Sequence, residues 1–207
     1  LKMGTIADLI HYRIHNEQTV EHVEATAVKT AFGELDLHVF RDSIQGAHHL
    51  ALVKGRPGPD VPTTVRVHLA DTMRDLLCLQ RGDNPHWTSH QAIAEVARSE
   101  RGVFVLLDDG RPRLDLRDYL DTFLERRRAP RTSDSDGAGN YLTIGTGSQI
   151  LRHLGVGKMR LLSSPWKFSA LSGFDLEVVE RLGPDDVGEL VDKAESAMPE
   201  HSETRGV

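Results

Sequence analysis

Cysteine is almost absent from this chain, since Cys78 is the only one in 207 residues. A single cysteine excludes an internal disulfide framework. Basic residues are not in excess either: 25 Lys and Arg stand against 31 Asp and Glu, and the net charge is −6. A general nucleic-acid binder normally carries a basic excess, so we expect no nucleic-acid partner.

Long apolar runs and a signal-peptide pattern are also missing. A membrane-spanning helix needs roughly 20 consecutive apolar residues. We therefore expect no membrane association, with the cytoplasm as the default location. What is present is typical of a folded domain, because 39% hydrophobic residues support a core and 27% charged residues support a hydrated surface. Cys78 lies in the apolar run 76–79, which predicts a buried, unreactive thiol.

Residues that alternate between apolar and polar predict the strands of a sheet. These strands are expected at 27–30, 34–39, 48–53 and 65–69. The continuous apolar run 101–107 predicts a buried central strand, and 158–162 predicts another. Helical spacing predicts helices around 92–97, over 116–124, and over 147–156 with Gly155 as the stop. The pattern predicts an α/β fold, a mixed sheet flanked by helices.

The two ends of the chain differ from this central part. Thr5 is placed to cap a helix whose apolar residues Ile6, Leu9 and Ile14 share one face. We therefore expect a connector helix within 1–25, a folded domain over 26–182, and a tail over 183–207 that is first helical and then disordered.

The segment 65–85 joins an alternating strand, an acidic loop and a tight turn, a frame that presents metal ligands convergently. It resembles the zinc-binding segment of GTP cyclohydrolase II, and the matching residues are Arg66, Val67, His68, Arg81 and Asp83. In that family three cysteine thiolates hold a zinc ion that activates water to attack the guanine ring of GTP. The cysteine positions fall here on Asp71, Gly82 and Asn84. Because a zinc site needs about three sulfur or nitrogen ligands, we expect neither a metal nor a cofactor here, although active members use zinc and Mg²⁺.

The resemblance also places the family's catalytic groups on this chain. A family Asp that accepts a proton and a family Arg that attacks the α-phosphate correspond to Asn140 and Leu142. Asn140 cannot take up a proton as a general base, and Leu142 offers neither charge nor nucleophile. The resemblance thus implies that no catalytic residue remains.

Candidates for nucleotide binding follow from the same resemblance. They are Arg66, Val67 and His68 in the zinc segment, Asp109, Gly110 and Arg111 in the loop after the apolar run, and Ser163 and Lys167 where the family reads guanine. Pro112 stands where the family has a glycine, and proline fixes φ and removes an N–H. That substitution weakens the expected cradle for a nucleotide.

The stretch 4–13 is similar to the C-terminal end of 3,4-dihydroxy-2-butanone 4-phosphate synthase, which many bacteria fuse in front of GTP cyclohydrolase II. The resemblance implies an upstream synthase domain, a role in riboflavin biosynthesis and a homodimer. The chain begins at Leu1 rather than a methionine, and we expect it to be a piece of a longer polypeptide.

Three functions stay open at this stage. The first is a catalytically silent domain with a structural or regulatory task, which the lost motifs favour. The second is an enzyme whose metal site is rebuilt from Asp71, Asp83, His86 and His90. The third is a module that binds a nucleotide without turning it over.

Overall fold

A computed structural model of the chain describes residues 17–44, 46–79, 86–108, 116–124, 138–163 and 175–184. The strands are β1 Val20–Thr30, β2 Gly33–Asp42, β3 His48–Lys54, β4 Thr63–Leu69, β5 Gly102–Leu107, β6 Lys158–Leu162 and β7 Glu177–Leu182. The helices are α1 Thr72–Asp75, α2 Ser89–Arg98, α3 Leu116–Phe123 and α4 Ala138–His153. The helix predicted near Thr5 and nearly all of the predicted tail lie outside the described residues.

The strands form one seven-stranded sheet in the order β1-β2-β3-β5-β4-β6-β7. The first four strands in this order pair antiparallel, whereas β5, β4, β6 and β7 pair parallel. Parallel neighbours need a long crossover, and α1 and α2 lie in the one that joins β4 to β5. The mixed sheet predicted from the sequence is confirmed.

Side chains on the two faces of the sheet pack into two separate cores. One core lies on the α4 side and includes Val65, Val103 and Ile150. The other lies on the α2 side and includes Trp87, Val96 and Phe104. Successive side chains of a strand point to opposite faces of the sheet. Arg66 and His68, which alternate with Val65 and Val67 in β4, therefore point toward α2. Those residues carry the candidate site.

The first strand begins earlier than the sequence predicted. The alternation seemed to start after Glu24, whereas β1 starts at Val20 and pairs with β2 from there onward. The Gln149 side chain of α4 accounts for the earlier start, because its Oε1 accepts the backbone N–H groups of Thr19 at 2.9 Å and Val20 at 3.2 Å. A contact between residues so distant in sequence leaves no local pattern.

Helix α4 is also longer than predicted, beginning at Ala138 rather than at Gly147. Gly147 suggested a helix start, but it serves close packing, since a Cβ there would lie 3.0 Å from Cγ1 of Val67. The predicted stop at Gly155 is confirmed, with φ +82°. In the part of the chain that is described, none of the helices has the length and apolar character needed to cross a bilayer.

The prediction of a buried Cys78 is wrong, because the thiol is exposed. Leu76 and Leu77, beside it, are 74% and 56% exposed. The run follows the four-residue helix α1 directly, and all of its residues, 76–79, are exposed. Cys78 also has φ +54°, in the left-handed region that costs a residue with a Cβ about 1 kcal/mol.

We therefore expect Cys78→Gly to raise the free energy of unfolding by roughly 1 kcal/mol, because glycine adopts positive φ without strain. Urea denaturation monitored by circular dichroism measures this change. Cys78→Ala is the control, because alanine keeps the Cβ and should leave stability near that of the wild type. An equal gain in both variants would show that the thiol, and not the backbone, carries the strain.

Candidate functional site

The carboxyl ends of the parallel strands β4, β5 and β6 meet at one edge of the sheet. Arg66 in β4 reaches across to β6, where its Nη1 donates to the carbonyl oxygen of Leu162 at 2.8 Å. Ligands of open α/β sheets bind in the crevice beyond the carboxyl ends of the strands. This edge is therefore the candidate site.

The centre of this edge is His68, whose side chain is fully buried. Arg66 Nε donates to His68 Nδ1 at 3.4 Å, and His68 Nε2 lies 2.8 Å from Asp75 Oδ2. A guanidinium only donates, so Nδ1 must be the acceptor and the proton belongs on Nε2. The neutral imidazole thus accepts a hydrogen bond from Arg66 and donates one to Asp75.

Asp75 ties three parts of the chain together. Besides His68, its carboxylate accepts the backbone N–H groups of Asp71 and Ser89, each at 2.9 Å. Ser89 is the first residue of α2, so Asp75 links the end of β4 to the start of that helix. Burial raises the pKa of Asp75, but the hydrogen bonds from His68, Asp71 and Ser89 outweigh burial and hold that pKa well below its usual range.

Arg74 supplies a second cation at the same place. Its Nη2 donates to the carbonyl oxygen of Leu69 at 3.0 Å, and its Nε donates to Asp75 Oδ1 at 3.4 Å. Nη2 also lies 3.3 Å from His68 Nε2, a contact that is not a hydrogen bond when Nε2 carries the proton. Arg74 therefore encloses the buried imidazole from the side of α1.

The charges in this cluster influence one another. Burial, reinforced by the neighbouring charge of Arg74, lowers the pKa of Arg66 to about 10, so the guanidinium stays protonated at neutral pH. Burial also lowers the pKa of His68, and Arg66 and Arg74 act in the same direction against Asp75. The result is a neutral histidine held between two cations and a carboxylate.

The sequence that forms this site matches a known family. A family model described as GTP cyclohydrolase II matches residues 20–183. The chain belongs to the GTP cyclohydrolase II family. It shares 45% identity over 182 residues with a 3,4-dihydroxy-2-butanone 4-phosphate synthase of Pseudomonas aeruginosa, a match that covers 88% of this chain and 48% of the relative.

Two further matches carry related names. The riboflavin biosynthesis protein RibBA of Aquifex aeolicus is 34% identical over 193 residues, covering 88% of this chain and 46% of the relative. A crystal structure of RibBX, a two domain 3,4-dihydroxy-2-butanone 4-phosphate synthase from A. baumannii, matches with a TM-score of 0.61 and 42% identity over 88% of this chain and 46% of that one. The chain spans about half the length of the curated relatives it matches.

Asp71, which the resemblance was expected to place at the first zinc position of the GTP cyclohydrolase II family, caps a helix. Asp71 precedes α1, and its Oδ1 accepts the backbone N–H groups of Met73 and Arg74, both at 3.0 Å. An Asp side chain in this position satisfies amides that the first turn of a helix leaves unpaired. Asp71 is thus explained by local structure, and the other two positions, Gly82 and Asn84, lie outside the described residues.

Three of the four residues proposed for a rebuilt metal site, Asp71, His86 and His90, lie within the described residues. Asp71 caps α1, and the exposed His90 places its ring edge-on to Phe32, with 4.8 Å between the centroids. Across the described ranges, no group of three or more His, Cys, Asp and Glu side chains is arranged to hold a metal ion. Asp83 lies outside those ranges.

Four of the eight nucleotide-binding candidates lie within the described residues, namely Arg66, Val67, His68 and Ser163. Val67 packs in the core on the α4 side, away from Arg66 and His68. Ser163 is buried beside the network, where its N–H donates to the carbonyl oxygen of Leu182 at 3.1 Å and its hydroxyl has no hydrogen-bond partner among the described residues. Asp109, Gly110, Arg111 and Lys167 lie outside the described residues, as do the side chains of Asn140 and Leu142 within α4.

Sequence reasoning missed Arg74 and Asp75. A signal was available, because Asp75 follows Asp71 by one helical turn and both come directly after a strand that carries Arg66 and His68. The expected zinc positions include Asp71 but not Asp75, so the prediction named Asp71. The hydrogen bonds, however, centre on Asp75.

A second buried polar group lies on the α4 face. His49 Nδ1 accepts the backbone N–H of Asp108 at 3.1 Å, and its Nε2 lies 4.0 Å from Asp42 Oδ2. Thr146 of α4 donates to the same Asp42 oxygen at 3.3 Å. Because Asp108 follows β5, His49 fixes the point at which the chain leaves the sheet.

Acid should destabilise this domain through its histidines. Burial lowers the pKa of His38, His49, His68 and His153 below the ordinary value of 6.5. The unfolded chain therefore binds more protons than the folded one below pH 6.5, so stability is fully present above that pH and is lost as the pH falls. We expect the urea midpoint to be constant from pH 8 to 7 and to fall between pH 6.5 and 5.

The decisive comparison uses two variants. His68→Gln should flatten part of this acid dependence, whereas Leu76→Ala, which removes an exposed apolar side chain, should leave the slope as in the wild type. A midpoint that changed only below pH 4.5 would assign the effect to carboxylates instead.

Proposed function

We propose that this chain is a GTP cyclohydrolase II-family domain that no longer turns GTP over. Its task is structural: it stabilises and dimerises a 3,4-dihydroxy-2-butanone 4-phosphate synthase carried upstream in the same polypeptide. The observation that carries the proposal is the closed network of Arg66, His68 and Asp75, because the groups the family would offer to a nucleotide bond to one another.

The loss of chemistry is supported at three separate steps. A zinc-bound water needs thiolates, but the three zinc positions hold Asp71, Gly82 and Asn84, and Asp71 caps a helix. Proton transfer and attack on phosphate need a base and a nucleophile, but those positions hold Asn140 and Leu142. Each loss removes a different part of the reaction, so restoring one of them would not restore turnover.

The link to a synthase is supported by the relatives. Matches named for 3,4-dihydroxy-2-butanone 4-phosphate synthase are about twice as long as the matched segment. The stretch 4–13 resembles the end of that enzyme. We place the boundary near residue 26, with the synthase before the connector, and we expect the long protein to be a homodimer in the riboflavin pathway.

The test compares the full-length protein with a version that lacks residues 26–182. We expect deletion to lower the Tm of the synthase and to convert the dimer to a monomer in light scattering, because the deleted part would supply the interface. Synthase kcat per folded active site should change little. An unchanged Tm and an unchanged dimer would contradict the structural role.

A second candidate function is nucleotide binding without turnover, and one observation favours it. The Ser163 hydroxyl is buried, with no hydrogen-bond partner in the part of the chain that is described, at the edge where the family is expected to read guanine. A ligand that prefers the native state raises its stability by mass action. If this candidate is right, millimolar GTP with Mg²⁺ raises Tm in the wild type and less in Ser163→Ala. Equal melting with and without GTP eliminates it.

A further inference from the structure

We propose that His49 is a pH-sensitive switch at the end of β5. The neutral imidazole accepts a hydrogen bond from the backbone N–H of Asp108, whereas the protonated imidazole releases that N–H and pairs with the carboxylate of Asp42. His49 lies in β3, Asp42 in β2 and Asp108 directly after β5. One proton therefore decides which of two neighbouring chain segments His49 is joined to.

The contacts of His49 in the structure are those of the neutral form. Its Nδ1 lies 3.1 Å from the backbone nitrogen of Asp108. A backbone N–H only donates, so Nδ1 must be the acceptor and the single ring proton belongs on Nε2. Nε2 is buried and has no hydrogen-bond partner among the described residues, and Asp42 Oδ2 lies 4.0 Å from it. The neutral ring thus binds Asp108 and leaves a buried donor beside Asp42.

Protonation reverses these contacts. The added proton sits on Nδ1 and places a second donor 3.1 Å from the N–H of Asp108, so that hydrogen bond is lost. The new charge is buried, since the side chains of His49 and Asp42 are 3% and 2% exposed. A charge-assisted N–H···O bond is about 2.7–2.9 Å long, so the ring closes on Asp42 by a shift of roughly 1 Å. Nδ1 and Nε2 lie on opposite sides of the imidazole, and this shift therefore moves Nδ1 away from Asp108.

The carboxylate of Asp42 is already ordered to receive this charge. Its Oδ1 accepts the backbone N–H of Ile44 at 2.7 Å, and its Oδ2 accepts the hydroxyl of Thr146 at 3.3 Å. A carboxylate has about four acceptor positions, so both bonds can persist when the imidazolium approaches. Asp42 is fixed between β2 and α4, and His49 is the group that moves.

The charges around His49 set the pH at which the switch operates. Burial lowers the pKa of His49, Asp42 and Asp108 raise it, and the neighbouring His48 lowers it. Within the part of the chain that is described, α4 adds the uncharged hydroxyl of Thr146 to this cluster. The net direction is downward from 6.5. Asp108 is therefore bound at neutral pH and released below pH 6.5.

The experiment follows two NMR signals of the isotope-labelled chain from about pH 7.5 to pH 5. The ring proton of His49 reports protonation, and the backbone amide of Asp108 reports the hydrogen bond. We expect both signals to change with one midpoint below pH 6.5. The hydrogen-exchange protection of the Asp108 amide, corrected for the intrinsic effect of pH, should fall about tenfold across that midpoint. The amide of Val105, inside β5, should keep its protection.

Two variants with the same chemical change test the role of the carboxylate. Asp42→Asn should move the midpoint to lower pH, because the imidazolium loses its counter-charge. Asp36→Asn is the matched control, because Asp36 is an exposed residue of the same strand, about 20 Å away along β2, and should leave the midpoint unchanged. His49→Asn places an amide oxygen that does not titrate near the position of Nδ1, so the Asp108 amide should stay protected at every pH.

The switch would be overturned by a His49 ring that takes up its proton while the Asp108 amide keeps its protection, or by a ring that stays neutral down to pH 5. Simultaneous loss of protection at Val105 would also contradict it, because the change would then be unfolding of the sheet. An unchanged midpoint in Asp42→Asn would overturn the pairing with Asp42. Should either buried variant not fold, the two signals of the wild type still decide.

Discussion

Replacing Asp75 by alanine should destabilise this domain by about 3 to 5 kcal/mol. Removing one partner of a buried ionic network leaves the other groups without compensation. Four donors lose their acceptor here: the side chains of His68 and Arg74, and the backbone N–H groups of Asp71 and Ser89. The carboxylate is largely buried, so water replaces it only in part.

Urea denaturation of Asp75→Ala measures this effect, with Glu34→Ala as the control. Glu34 makes an exposed ion pair with Lys29 at 3.8 Å, and exposed pairs contribute well under about 1 kcal/mol. Asp75→Asn should also be strongly destabilised, because an amide has one oxygen to offer where the carboxylate has two. A loss below about 1 kcal/mol in both Asp75 variants would mean that the network holds little of the fold together.

Replacing Trp87 by alanine should cost a similar amount, about 3 to 5 kcal/mol, for a different reason. The indole is 2% exposed and fills the core on the α2 side against Phe104 and Leu162. Its Nε1 also donates to the carbonyl oxygen of Leu182 at 3.0 Å, which links the segment just before α2 to β7. Alanine leaves a cavity and removes one of the two hydrogen bonds that this carbonyl oxygen accepts, the other coming from the N–H of Ser163.

Two further variants separate these contributions. Trp87→Phe keeps most of the packing but loses the hydrogen bond, and we expect it to cost roughly 1 to 2 kcal/mol. Leu76→Ala is the control, since Leu76 is 74% exposed and its truncation should change stability by less than about 0.5 kcal/mol. The urea midpoints of all three variants test the order. If the Trp87→Ala protein were as stable as the Leu76→Ala protein, packing around Trp87 would not contribute to the stability of the domain.

The sheet was predictable from the sequence because its signals are local. The run 101–107 is apolar throughout, as expected of the strand that pairs with both β3 and β4. The alternation in 65–69 placed Val65 and Val67 on one face, and Arg66 and His68 on the other. Gly155 marked the end of α4 because positive φ at a helix end has a clear sequence signature.

The candidate site was less predictable because its contacts are made across the fold. Nothing near Arg66 in the sequence reveals that its partner is the carbonyl oxygen of Leu162, 96 residues away. The prediction for Cys78 failed for a related reason: an apolar run is buried only where other parts of the fold cover it, and residues 76–79 are exposed. Family positions identified Asp71, yet only the hydrogen bonds reveal that Asp75 and Arg74 organise the loop.

The account rests on the claim that this member of the GTP cyclohydrolase II family has lost its chemistry. The most direct test incubates the purified chain with GTP, Zn²⁺ and Mg²⁺ and measures released formate, beside an active GTP cyclohydrolase II as positive control. We predict formate at the level of the protein-free blank. Formate that accumulates in proportion to the concentration of this chain, and that EDTA abolishes, would contradict the account.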